Sequence, residues 1–465
     1  MSQLNIETLV SDILAQSVFS PNGKVSSHVG GAGFETVNSA INAAKLAFEE
    51  LNSSPISVRS AIIEGLRNEL VADIPDMAER AWQETGMGNV SDKVLKNKAA
   101  LENTPGTEDL ATQALTGDGG LTLFEYSPYG VVGAVAPSTN PTETIINNVI
   151  GMIAAGNSVI FSPHPGAKEV SIWLIDKVEQ IIFDQCGIRN LVVCVSNPSF
   201  EATRQMMEHP DVPLLVVTGG PGIVSMAMKT GKKVIGAGAG NPPVIVDDSA
   251  DIKKAAVDII SGASFDFNLP CIAEKAVVVV DSVAQELLQA MEEFGAHWVK
   301  DPVDVERLRQ VVINEAGDAN KALVGQSPAQ ILDAANIGYQ GQPKLVVASV
   351  SADDPLMLVE QLMPMLPVAT AFNFEQALSI ARDVEGGNLH TAIMHSKNID
   401  HLNRAARVMR TSIFVKNAPS YAGIGVGAEG FTTFTIATPT GEGTTSARSF
   451  ARLRRCVLSE AFNIR

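Results

Sequence analysis

Near the amino end, Ile6, Leu9, Val10, Ile13 and Leu14 fall on one face of a helix about three turns long. Phe19-Ser20-Pro21-Asn22-Gly23 then breaks the pattern. A helix this short is marginal alone, so its apolar stripe needs a partner, either the chain's own core or another protein. The periodicity predicts amphipathic helices over 34–52 and 55–72, then a polar helical stretch to about residue 103. Residues 121–135, LTLFEYSPYGVVGAV, alternate as strands do around Ser127-Pro128-Tyr129-Gly130, which predicts a hairpin there.

Beyond that point short apolar runs alternate with helical stretches. SVIF (158–161) precedes a helix from Gly166 to about Ile182, LVVCV (191–195) a helix from near Phe200, and PLLVV (213–217) a helix from near Gly222. KVIG (233–236) and PVIVD (243–247) follow. A second alternation starts near residue 250 with a helix ending at Ser261-Gly262, AVVVV (276–280), a helix over 283–296 and KLVVASV (344–350). It continues through a strand at 367–372, a helix at 375–384, TAIMH (391–395), a helix at 400–410 and SIFVK (412–416). The Gly- and Thr-rich stretch 421–449 reads as loop and extended chain. Apolar strands interleaved with helices imply parallel sheets covered on both faces, here two α/β lobes meeting at a cleft. Ligands of such sheets bind beyond the carboxyl ends of the strands.

Composition narrows the class. The 465 residues exceed what one compact core holds. Against 34 basic residues stand 51 acidic ones, a formal charge of -17 that repels nucleic acid and anionic membranes. Anionic ligands must then be held by local donors such as helix N-termini. No apolar run reaches membrane-spanning length, about 18 residues, and the acidic start lacks the basic region of a secretion signal. The four cysteines, Cys186, Cys194, Cys271 and Cys456, have neither metal-like pairing nor disulfide-like density, which points to a reducing, cytoplasmic setting without a metal centre.

Candidate chemistry centres on Cys271, in Asn268-Leu269-Pro270-Cys271-Ile272 between a predicted helix and strand. Pro270 fixes the backbone before the thiol, as a positioned nucleophile needs. A buried structural cysteine fits the same context. Cys194 within a strand, Cys186 at a helix end and Cys456 after the arginines of the tail read as structural, and Met206-Met207 and Met363/Met365 as core.

Several blocks together resolve the choice. Asn268-Leu269-Pro270-Cys271-Ile272-Ala273-Glu274-Lys275, Thr218-Gly219-Gly220-Pro221 and Ala136-Pro137-Ser138-Thr139-Asn140-Pro141 occur with Phe161-Ser162-Pro163-His164-Pro165. Tyr421-Ala422-Gly423-Ile424-Gly425 and Pro439-Thr440-Gly441-Glu442-Gly443-Thr444-Thr445-Ser446-Ala447-Arg448 follow them. In this order the set resembles the CoA-acylating aldehyde dehydrogenases, most of all the branch acting on propionaldehyde in propanediol-utilisation microcompartments. The amphipathic start is similar to the peptide that directs that branch into the shell.

The resemblance implies an aldehyde dehydrogenase-like α/β fold with a Rossmann-type NAD-binding domain (19–115 and 130–235) and an α/β catalytic domain (236–439). It also implies an oligomerisation arm (116–129 and 440–465) and an encapsulation peptide (1–18) that binds a shell protein. Arg448, Arg452, Arg454 and Arg455 would then serve packing in a homo-oligomer. The implied reaction is NAD-dependent oxidation of a short aldehyde, propionaldehyde, through a Cys271 thioester that passes to coenzyme A. The side-chain amide of Asn140 and the Cys271 N–H would hold the oxyanion. Thr139, Ser162, Pro163, His164, Thr218, Gly219 and Gly220 would approach the dinucleotide, its pyrophosphate at a helix N-terminus. Ser162 and Pro165 stand where hydrolytic relatives carry a lysine and a glutamate, which leaves NAD against NADP open. Those relatives also prime water with a glutamate whose place falls on Gly236, and no acidic residue lies between Thr218 and Val246. Without such a base, worth about 10²–10⁴-fold, the CoA thiol is the favoured acceptor. Met363 falls where relatives contact the nicotinamide ribose, and Glu360 beside it takes no role.

Overall fold

The computed structural model describes residues 31–460 and Phe462. The stripe at 6–14, with the rest of segment 1–18, lies outside the described residues. The described chain opens with β1 (Gly33–Phe34) and continues through β2 (Gln113–Gly117), β3 (Gly120–Pro128), β4 (Val131–Ala136), β5 (Ser158–Pro163), β6 (Val192–Val195), β7 (Leu214–Thr218) and β8 (Lys233–Ala237). Six of these form one sheet in the order β1-β6-β5-β4-β7-β8, every neighbouring pair parallel. β9 (Pro243–Val246), β10 (Ala276–Val280), β11 (Ala296–Val299), β12 (Leu345–Ser349), β13 (Met365–Ala371), β14 (Thr391–His395) and β15 (Ile413–Lys416) form a second parallel sheet, ordered β11-β12-β13-β10-β9-β14-β15. β16 (Ile436–Ala437) and β17 (Gly443–Thr444) make a short antiparallel pair, and β18 (Ala451–Ser459) runs antiparallel to β3, which pairs with β2.

Burial explains why the strands are short apolar runs. In β4, Val132 and Ala134 join the core under helix Pro141–Ala154, while in β5 Ile160 faces the opposite layer with Val193 and Leu215. β10 is buried at all five positions. Each aliphatic side chain so enclosed contributes about 1.5–3 kcal/mol, which is why both faces must be covered. Met206, Met207, Met363 and Met365 sit in these cores. Cys194 is buried in β6, Cys186 ends helix Lys168–Cys186, and all four cysteines are free thiols.

The predicted hairpin at Ser127–Gly130 is absent. β3 and β4 are consecutive in sequence but belong to different sheets: β3 lies between β18 and β2, and β4 is central in the parallel sheet. The real hairpin turns at Asp118-Gly119, between β2 and β3. Alternation in β3 reflects its half-exposed faces, whereas β4 is almost wholly buried, and the period-2 pattern runs across both. The region 297–343, left without elements by the pattern, holds the end of β11 and helices Pro302–Val312 and Pro328–Ala334. Their apolar side packs on β12 through Leu308, Ile331 and Leu332.

Candidate active site

The carboxyl ends of β4, β5, β7 and β8 open onto a cleft of about 730 Å³ whose other wall is the turn before β10. That turn is unusually constrained. Just past the end of helix Ile252–Ser264 come Asp266, Phe267 and Asn268, three successive non-glycine residues at φ 46°, 51° and 66°. Such conformations cost about 1–3 kcal/mol each and persist only where surroundings over-determine them. Here they do. Asn268 Nδ2 donates to the carbonyls of Ala263 (2.7 Å) and Glu274 (2.9 Å), and the buried Lys275 Nζ donates to Asn268 O (2.9 Å), Asn268 Oδ1 (2.5 Å) and Pro270 O (3.1 Å). Cys271 follows directly, half-buried and facing the cleft.

The electrostatics of the thiol oppose one another. Burial pushes the Cys271 thiol up to about 12, and the Glu360 carboxylate adds to the rise. Lys275 and the backbone N–H groups of Cys271 and Ile272 pull it down. Lys275 is itself lowered by burial to about 8, with Glu360, Cys271 and Glu274 acting to raise it. Glu360 is raised by burial to about 6, opposed by Lys275 and by the Gly240 N–H that donates to its Oε1 at 3.2 Å. Behind the nucleophile, a Cβ on Gly240 would meet His390 Cγ at 2.8 Å and the Cys271 carbonyl oxygen at 3.1 Å, so only glycine lets the imidazole approach. His390 Nδ1 shares a hydrogen bond with Thr391 Oγ1, and its buried Nε2 has no partner among the described residues. Burial, then Lys275, lowers His390 to about 4, so the ring is neutral at physiological pH.

All nine predicted site residues line this one cleft: Cys271, Asn140, Thr139, Ser162, Pro163, His164, Thr218, Gly219 and Gly220. Asn140 caps helix Pro141–Ala154 by position, and Thr139 Oγ1 accepts from its Nδ2 at 3.2 Å. Ser162 Oγ is engaged with Thr203 Oγ1 at 2.7 Å, and His164 Nδ1 accepts the Gly166 N–H at 3.0 Å. Gly220 precedes helix Pro221–Met228; a Cβ there or on Gly222 would meet no atom within 4 Å, leaving a bare helix N-terminus open to the cleft. Such a helix end presents backbone N–H groups that suit an anion.

Two readings need correction. Gly236 does not face the cleft: a Cβ there would meet Val224 and Thr440, and Ala237, Gly238 and Ala239 line the wall instead. The stretch is still without a carboxylate. Met363 is fully buried in a core, and Glu360, given no role from sequence, lines the cleft beside Leu362. Lys275 and His390 were also missed as site residues. Lys275 stood in the quoted motif, two polar positions after apolar ones, with nothing to mark its inward direction, and His390 precedes its strand in the loop Gly386-Gly387-Asn388-Leu389 without any local signal.

Residues 13–431 match the aldehyde dehydrogenase family. The chain belongs to that family. It is 61% identical over 466 residues to the propanal dehydrogenase (CoA-propanoylating) of Salmonella typhimurium, with 100% of both chains covered. Its fold superposes on a Rhodopseudomonas palustris propionaldehyde dehydrogenase solved with bound CoA and an acylated cysteine, at TM-score 0.92 and 48% identity over 93% of this chain and 99% of that one. A propionaldehyde dehydrogenase from the fucose utilisation microcompartment of Clostridium phytofermentans gives TM-score 0.91 and 44% identity, covering 94% of this chain and 100% of that one. The aldehyde dehydrogenase fold, two parallel sheets flanking a cleft with a cysteine on one wall, is thus shared along nearly the whole chain.

Proposed function

We propose that this chain oxidises propionaldehyde to propionyl-CoA with NAD as hydride acceptor. The observation that carries the reading is Cys271, a cleft-facing thiol on an over-determined turn, in a cleft also lined by Asn140 and by Gly219 and Gly220 at a helix N-terminus. The thiolate attacks the carbonyl carbon; the C–S bond forms and the carbonyl pair moves onto oxygen. Asn140 Nδ2–H and the Cys271 N–H hold that oxyanion. When bound at Thr218–Gly220 and Ser162–His164, NAD supplies the acceptor for the hydride released as the oxyanion collapses. Cys271 is left as a thioester. Attack by the CoA thiolate on that acyl carbon expels the Cys271 thiolate and restores the enzyme.

One observation favours a second reading. Glu360 is a carboxylate on the cleft, raised to about 6, and in a hydrolysing enzyme it would prime water to release free acid. The Gly240 N–H and the Lys275 charge, which both lower it, instead mark it as an acceptor held in place. Omitting CoA decides between the two. We expect a burst of about one NADH per Cys271, then turnover slower by about 10²-fold or more. Undiminished steady turnover without CoA would establish hydrolysis. A C2–C4 aldehyde series under the same conditions separates propionaldehyde from acetaldehyde, whose one-methylene difference is worth about 1 kcal/mol.

The division of labour follows the same reading. Residues 19–115 with 130–235 hold the dinucleotide, 236–439 carry the nucleophile, and 116–129 with 440–465 join subunits of a homo-oligomer. Arg452 and Arg455, stacked on Tyr129 and Phe124, stiffen that arm. Segment 1–18 docks on a microcompartment shell protein, which would place the enzyme inside that compartment in the cytoplasm. No helix among the described residues is long and apolar enough to cross a membrane. Deleting residues 1–18 is expected to leave activity within about twofold and to abolish co-purification with shells. Loss of soluble protein on that deletion would assign the stripe to the enzyme's own core.

A further inference from the structure

We propose that Lys96 is a positioning residue that orients the Asn140 amide for oxyanion binding and ties it to the turn carrying Cys271. The inference rests on the reading of Asn140 given above. Asparagine at a helix N-cap normally accepts a backbone N–H of the first turn. Asn89, Asn373 and Asn398 do so in this fold, accepting from Asp92, Gln376 and both Asp400 and His401. Asn140 occupies the N-cap of helix Pro141–Ala154 and makes no such bond. Its Oδ1 instead accepts from Lys96 Nζ at 2.7 Å. An ammonium has only donors, so the amide oxygen must face Lys96 and the two N–H groups must face away. One of them reaches Thr139 Oγ1, and the other is left for the cleft that Asn140 lines.

Lys96 is itself fixed. It is 1% exposed, 3.0 Å from Glu143 Oε1 and 2.5 Å from Asp266 Oδ2. Lys93, one turn earlier on helix Val90–Asn103, contacts the same Asp266 oxygen at 3.0 Å. Two cations and two anions close a neutral, buried cluster, which satisfies charges that burial would otherwise penalise. Burial alone would lower the Lys96 ammonium, yet Asp266 and Glu143 hold it above the ordinary lysine value. Asp266 is the first of the three left-handed residues before Cys271, and its other oxygen accepts the Asn89 N–H at 2.8 Å. Gly88, at φ 73°, comes so close that a Cβ there would overlap the Asp266 carboxylate. Lys96 therefore touches both walls of the cleft: the amide on the six-stranded side and the nucleophile turn on the other.

The test is a double-mutant cycle on kcat at saturating propionaldehyde, NAD and CoA, with thermal melting to monitor folding. Asn140→Ala is expected to lower kcat by about 10²–10³-fold. Lys96→Met is expected to lower kcat by about 10–10²-fold with KM changed less than about threefold, and to add nothing in the Asn140→Ala background. Equal losses in both backgrounds would overturn the proposal, since Lys96 would then act independently of the amide. Should Asn140→Ala leave kcat unchanged, the oxyanion reading fails on its own account, whatever Lys96 does. Because Lys96→Met leaves a buried acid unpaired, the charge-balanced pair Lys96→Met with Glu143→Gln serves as the second variant. It is expected to show the same kcat loss. Wild-type kcat in that pair would mean that Lys96 only neutralises Glu143, and would overturn the proposal as well.

Discussion

Cys271→Ala is expected to abolish aldehyde-dependent NADH formation, by more than about 10⁴-fold in kcat, while melting within a few degrees of wild type. The size follows from chemistry: without the sulfur no thiohemiacetal forms, and hydride release from a free aldehyde hydrate has no oxyanion held in place to drive it. The small change in stability follows from position. Cys271 is half-buried, and the turn is held by Asn268 and Lys275. The other thiols provide the control. Cys194 is buried in β6 and pushed up to about 12 by burial, and Cys186 is raised chiefly by burial at a helix end. Alanine at either should cost stability but not chemistry. NADH absorbance with propionaldehyde and CoA, together with mass spectrometry for a propionyl adduct on wild-type Cys271 but not on the variant, checks both halves. Residual activity within about tenfold of wild type would remove Cys271 from the mechanism.

How much of this was legible in the chain differs by kind of feature. Strands β4 to β8 and, except for the half-buried β11, β9 to β15 announced themselves, because a strand buried on both faces in a parallel sheet must be a short apolar run, as AVVVV is in β10. The cleft followed from strand direction; Thr218 and Gly219 lie at the end of β7 and Cys271 in the turn before β10, where local spacing signals a break. What stayed hidden depends on three-dimensional direction. β3 and β4 share one alternating stretch, and nothing local says that Gly130, at φ 124°, hands the chain from one sheet to another. Lys93 and Lys96 read as one face of a polar helix, yet that face is buried against Asp266, more than 160 residues away in sequence. Glu360 and Met363 stand three positions apart in one short segment, and only their burial shows that the carboxylate lines the cleft while the thioether is enclosed in a core.

Lys275→Met is expected to lower kcat/KM by about 10²-fold, with an effect that shrinks as pH rises. The ammonium lies under the nucleophile turn, donating to three oxygens of Asn268 and Pro270, and it opposes the rise of the Cys271 thiol that burial and Glu360 cause. Removing it leaves buried acceptors unmatched, each worth about 1–3 kcal/mol, so a fall in melting temperature is expected too. The structural loss is the same at every pH; the electrostatic one is not. Below about 8 Lys275 is charged and favours the thiolate; above it the proton leaves and that help is lost from the wild type. With the thiol at about 12, alkylation of resting enzyme by iodoacetamide should climb about tenfold per pH unit up to pH 8, then more gently as the cation disappears. In Lys275→Met the climb starts lower and continues without the break, so the two curves converge above pH 8. A constant ratio of rates from about pH 6.5 to 9.5 would show that Lys275 acts as a clamp on the turn and not through its charge. Convergence assigns it both tasks, because one ammonium then shapes the backbone that aims the sulfur and supplies the field that ionises it.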